Sequence, residues 1–78
     1  MREAPDNVLD CIGLFCPMPI LKTREAIRGM AAGQTLEMRS DDPASEADMK
    51  SWSVKTGHAL LSIEKQGAVY HFLVRKTG

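Results

Sequence analysis

Gln34-Thr35-Leu36-Glu37-Met38-Arg39-Ser40, running on into Asp41-Asp42-Pro43, is the stretch from which the fold of this chain can be read. Side chains of a strand alternate between its two faces. Leu36 and Met38 therefore point one way, and Thr35, Glu37 and Arg39 the other. That is the pattern of a half-buried strand. The alternation stops at Asp41-Asp42-Pro43, where the residue types become those of a helix start. Asp42 is suited to accept a backbone N–H as an N-cap, and Pro43 to the first helical position, where its missing N–H costs nothing.

Toward the C-terminus, the second helix is expected to run to about residue 55 or 56, with Ala44, Ala47, Met49, Trp52 and Val54 available for burial and Gly57 as its stop. Residues 58–65 and 68–75 then alternate as two strands. Gln66-Gly67 joins them as a hairpin turn. Toward the N-terminus, residues 17–32 read as a helix. Ile20, Ile27, Met30 and Ala31 fall on one side, Leu21 at its margin, and Lys22, Arg24, Glu25 and Arg28 on the polar side. Gly33 is the expected helix stop. Val8-Leu9-Asp10-Cys11-Ile12 reads as a short strand closed by Gly13, and residues 1–6, charged and containing Pro5, as a frayed end. The order is β-α-β-α-β-β. Such an order predicts an α+β domain, a two-layer α/β sandwich whose four-stranded mixed sheet carries two helices on one face.

The chain has 78 residues, room for one domain spanning 1–78. Two cysteines, Cys11 and Cys16, are too few for a disulfide framework. The opening residues lack the apolar run of a signal peptide. No stretch approaches the roughly 18 apolar residues that suggest a membrane span. The expected setting is the cytoplasm, without membrane insertion. Ten Lys and Arg balance ten Asp and Glu, so the formal net charge is zero. A protein that grips a phosphate backbone by itself normally shows a basic excess or stripe, so stable nucleic-acid binding is not expected.

The reactive group sits in Cys16-Pro17-Met18-Pro19. A residue before proline is pushed out of the helical region, which places the Cys16 thiol over the start of the first helix. A helix N-terminus favours an anion, and cysteine pKa values fall at such positions. A moderate depression is expected here, because the two prolines remove some N–H donors. Cysteine-based acyl transfer needs a histidine base. His58 and His71, the only two, both lie late in the chain at or within strands. Cys11 and Cys16 with these histidines match no familiar zinc spacing. Sulfur exchange needs only a thiolate and access, and no cofactor is implied. Cys11 shares strand parity with Leu9 and is expected to face inward; Trp52 is expected in the core or at its rim.

Leu9-Asp10, Gly13-Leu14 and Cys16-Pro17-Met18-Pro19 resemble the signature of the TusA/SirA-like sulfur carriers, as do Gly33, Asp41-Asp42-Pro43, Trp52, Gly57-His58 and Phe72-Leu73-Val74-Arg75-Lys76. The resemblance implies a sandwich like the C-terminal domain of a translation initiation factor. It also implies a cytoplasmic protein, a monomer when free, that takes sulfane sulfur onto Cys16 as a persulfide. The donor it implies is a cysteine desulfurase or a rhodanese-like protein. The sulfur then passes to an acceptor protein for tRNA thiolation, cofactor synthesis or sulfur oxidation. Gly13, Pro17, Met18 and Pro19 are the implied motif scaffold, and Asp41, Asp42 and Pro43 the implied cap of the second helix. Members that thiolate tRNA commonly carry Glu where this chain has Met18, which leaves the sulfur-oxidation, thiosulfate-linked and selenium-linked branches open. Two other readings stand beside the carrier: a small nucleic-acid-binding module, and a thiol redox protein using Cys11 and Cys16.

Overall fold

The computed structural model describes residues 4–77. Its elements are β1 (Asn7–Asp10), α1 (Met18–Arg28), β2 (Thr35–Ser40), α2 (Ser45–Thr56), β3 (Ala59–Gln66) and β4 (Val69–Arg75). The strands lie in the order β1-β2-β4-β3, with β1 parallel to β2 and the other pairs antiparallel. The β-α-β-α-β-β order and mixed sheet are therefore those expected.

The β2–β4 register shows why one face is covered. Leu36 is opposite Val74 and Met38 opposite Phe72, and all four are buried. Ile27 of α1 and Met49 and Trp52 of α2 join the same core, which places both helices on that face. Cys11, just past β1, is fully buried in it, as its parity with Leu9 suggests. On β3, the register shifts between Leu60 and Ser62. This bulge lets Leu60 and Ile63, opposite Val74 and Phe72, both pack on the core while Leu61 turns outward.

Several boundaries differ from the sequence expectation. The first helix ends at Gly29, not at Gly33. Glycine is a poor helix former, and the end of the chain claims the groups beyond it. The Lys76 ammonium donates to the Met30 carbonyl at 2.6 Å, and Gly33 and Gln34 exchange backbone bonds with Lys76. Ala31 is consequently exposed, while Thr23 fills the helix–sheet interface with its hydroxyl on the Pro19 carbonyl. The second helix begins at Ser45, and neither Asp41, Asp42 nor Pro43 caps it; its N-cap, Ala44, has no side chain able to do so. Asp42 forms a turn ahead of the helix instead, its carboxylate accepting from the Ala44 N–H. Ala44, Ala47 and Val54 are exposed. The hairpin turn is Gly67-Ala68, with Gln66 and Val69 paired. Gly57 does end α2, in the left-handed region at φ 82°. At the other terminus, Asp6 exchanges hydrogen bonds with Thr35, so fraying does not reach it. Residues 1–3 lie outside the described residues.

Phe72→Ala is expected to lower unfolding free energy by about 3–5 kcal/mol, the cost of emptying a buried aromatic site. Val54→Ser, at a position 85% exposed, is expected to change it by less than about 0.5 kcal/mol. Urea unfolding of the two variants checks the contrast.

Candidate functional site

Between β1 and α1 the chain makes a tight loop that nearby carboxylates hold in shape. The Asp10 carboxylate accepts from the Ile12 N–H at 2.9 Å. Gly13 turns in the left-handed region, at φ 85°, and its N–H donates to Asp41 Oδ1 at 2.9 Å. Glycine alone adopts that conformation without strain. The Cys16 N–H donates to Asp42 Oδ2 at 2.8 Å, and the Met18 N–H to the Phe15 carbonyl at 2.8 Å. The Cys16–Pro17 peptide is cis. Pro17 is the residue before α1, Met18 its first and half-exposed residue, and Pro19 is buried beneath.

Asp42 is the centre of this arrangement. Only 7% exposed, it divides its two oxygens between the Cys16 and Ala44 N–H groups. Its own N–H donates to the Ser40 hydroxyl, which meets the Ser45 hydroxyl inside the core. Hydrogen bonds to an ionised acceptor are roughly twice as strong as neutral ones. The Asp41-Asp42 pair, expected as a helix cap, thus holds the Cys16 loop.

Cys16 itself is exposed. Its thiol is not pulled toward the thiolate, as its place over a helix start suggested, but pushed above the ordinary cysteine pKa. The largest cause is a hydrogen bond to the Asp48 carboxylate. Loss of solvation follows, and then the negative charges of Asp48 and Asp42. The helix-end effect is about half a charge, and two full carboxylate charges outweigh it. Cys16, Asp48 and Trp52 share a groove between α1 and α2 with Ile20, Ser51 and Lys55, about 350 Å³ in volume. Asp48, Ser51, Trp52 and Lys55 recur at helical spacing, three, four and seven residues on. That spacing is present in the sequence, where Trp52 is the one residue of the four that stands out by type.

The remaining candidates lie elsewhere. Cys11 is a free thiol within the core; burial first, then the Asp10 charge, push it above its ordinary pKa, with Lys22 opposing. His71 lies 3.6 Å from the Glu37 carboxylate on the sheet, and the His58 ring leans on Trp52 at 5.5 Å between centroids. Neither histidine lines the Cys16 groove. In the loop and first helix that flank Cys16 in sequence, Ile12, Phe15, Met18 and Leu21 are large apolar side chains left exposed, Phe15 by 70%.

Comparison with known proteins places this geometry in company. The family described as Sulfurtransferase TusA matches residues 7–76. A Bacillus subtilis protein named "Putative sulfur carrier protein YrkF" is 42% identical over 71 residues, which make up 91% of this chain and 38% of that protein. The chain thus spans about two fifths of the length of that curated relative. Among solved structures, a SirA-like protein from Desulfitobacterium hafniense shares the fold with a TM-score of 0.79 at 19% identity, over 92% of this chain and 99% of that one.

The electrostatic assignment is open to direct measurement. Asp48→Asn is expected to lower the Cys16 pKa and to speed its alkylation by iodoacetamide at neutral pH, roughly threefold to tenfold. A pH series of alkylation rates on both proteins locates the two midpoints. An unchanged midpoint contradicts the role given to Asp48.

Proposed function

This chain belongs to the TusA sulfurtransferase family, and we propose on that premise that it carries sulfane sulfur as a persulfide on Cys16. The observation that carries the reading is an exposed thiol on a loop whose backbone is fixed by Asp41 and Asp42. The Cys16 thiolate attacks the outer sulfur of a donor persulfide. One S–S bond forms, the donor's S–S bond breaks, and the donor leaves as a thiolate. An acceptor thiolate later attacks the outer sulfur of the Cys16 persulfide and releases Cys16 in turn. Sulfur moves with no net oxidation, and the exchange requires only a thiolate and access.

Everything else comes from the partners. A cysteine desulfurase or a rhodanese-like protein supplies the sulfur, and a second protein receives it. Docking is served by the exposed apolar side chains of Phe15 and Met18, within two residues of Cys16 in the chain. The Asp48 carboxylate first, and then the Asp42 charge, push the Cys16 thiol above its ordinary pKa. A donor that presents a cation to Asp48 lowers the thiol pKa on contact, so that reactivity rises where the donor is bound. The cytoplasm, where thiols stay reduced, is the setting that suits two free cysteines.

Incubation with a cysteine desulfurase, cysteine and pyridoxal phosphate is expected to add one sulfur mass to the intact protein. Cys16→Ser is expected to show no gain, and Cys11→Ser to gain as the parent does. Absence of any gain in the parent, from a desulfurase or a rhodanese-like donor, contradicts the reading. Loss of the gain in Cys11→Ser points to a dithiol mechanism instead.

A further inference from the structure

A second cavity, about 290 Å³ in volume, lies on the other side of Trp52 from Cys16. Arg24 and Arg28 from α1 and Lys76 from the end of the chain face it, with His58 beside them and Ile27 and Trp52 as its apolar wall. In a protein whose formal net charge is zero, this wall holds three cations and no carboxylate. Glu25 lines a separate depression with Leu21 and the outer flanks of the same two arginines. Among the described residues, neither Arg24 nor Arg28 has an ion-pair partner. They sit one helical turn apart, where like charges repel. The Lys76 ammonium spends one of its three donors on the Met30 carbonyl, which fixes its position and leaves two free. His58 Nδ1 accepts from the Thr77 N–H. The neutral ring therefore carries its proton on Nε2.

Trp52 stands between this cavity and the Cys16 groove and lines both, which makes it a reporter of either. It is 8% exposed, and its indole N–H is the one buried side-chain polar atom without a hydrogen-bond partner among the described residues. The cavity gathers the positive charge of Arg24, Arg28 and Lys76 and has no carboxylate in its lining. Guanidinium groups match the oxyanion geometry of phosphate in a fixed fork. We propose that this cavity binds a phosphate group, either inorganic phosphate or the head group of a small phosphomonoester, held by Arg24, Arg28 and Lys76. This site is separate from the Cys16 chemistry and stands or falls without it.

Trp52 is the sole tryptophan, so its indole N–H gives one resolved signal in a proton–nitrogen correlation spectrum. The full chain is titrated with inorganic phosphate and, separately, with adenosine monophosphate, at ionic strength held constant with sodium chloride. A saturable shift of that signal is expected, with a dissociation constant on the order of 1 mM or tighter. Arg24→Gln and Arg28→Gln, both on the exposed surface of α1, are each expected to weaken binding roughly tenfold through loss of a charged hydrogen bond. Tighter binding of the nucleotide assigns the site to a phosphomonoester, and equal binding assigns it to the free anion. An indole signal that stays still up to about 10 mM of either ligand overturns the proposal. So does one that sodium chloride moves equally, or one whose response survives both arginine substitutions.

Discussion

The hydrogen bond from the Cys16 N–H to the buried Asp42 carboxylate, 2.8 Å long, is the constraint on which this site depends. It joins two parts of the chain 26 residues apart. On one side is a loop that glycine and proline leave without helix or strand of its own. On the other is the junction of β2 and α2, anchored in the core through Ser40 and Ser45. Because the second oxygen of Asp42 takes the Ala44 N–H, the same carboxylate sets the approach to α2 and the place of Cys16. Its burial makes the bond costly to lose, since a largely buried carboxylate left with one partner fewer has little water to replace it. Asp41 repeats the device one residue earlier, on the Gly13 N–H.

Fixing the loop with carboxylates has an electrostatic consequence. A thiol at a helix start is normally read as activated, and α1 carries no acidic residue in its first turn to oppose that. Yet the neighbour that decides the matter belongs to α2. Asp48 lies in that helix's first turn, where its charge also suits the helix dipole, and from there it holds the thiol proton. The result is an exposed cysteine with restrained reactivity. A thiol of raised pKa is also a poorer leaving group, so the same carboxylates suit the proposed carrier, which keeps its sulfur until the acceptor arrives.

Much of the fold was legible because it is written in local patterns. The alternation of Leu36 and Met38, the inward parity of Cys11 and the Gly57 stop depend on a few adjacent residues, and each appears in the structure as expected. What failed were inferences about which partner a residue meets. Asp42 has the chemistry of an N-cap, but the chain offers it a better use in a loop 26 positions away. Gly33 has the chemistry of a helix stop, but Lys76 draws residues 30–34 out of helical pairing before they reach it. The Leu61 bulge follows from matching two strands, and neither strand shows it alone. The Cys16 pKa moves opposite to the sequence expectation for the same reason. Its own helix was visible in the sequence, and the carboxylate across the groove was not.

The claim that Asp42 presents Cys16 is tested most directly by amide hydrogen exchange in the parent and in Asp42→Ala. Loss of one charge-assisted bond, about 1.5–3 kcal/mol, is expected to speed exchange at the Cys16 amide roughly tenfold or more, while the Phe72 amide in the sheet keeps its protection. A Cys16 amide that exchanges equally slowly in both proteins, with the sheet intact, contradicts the account.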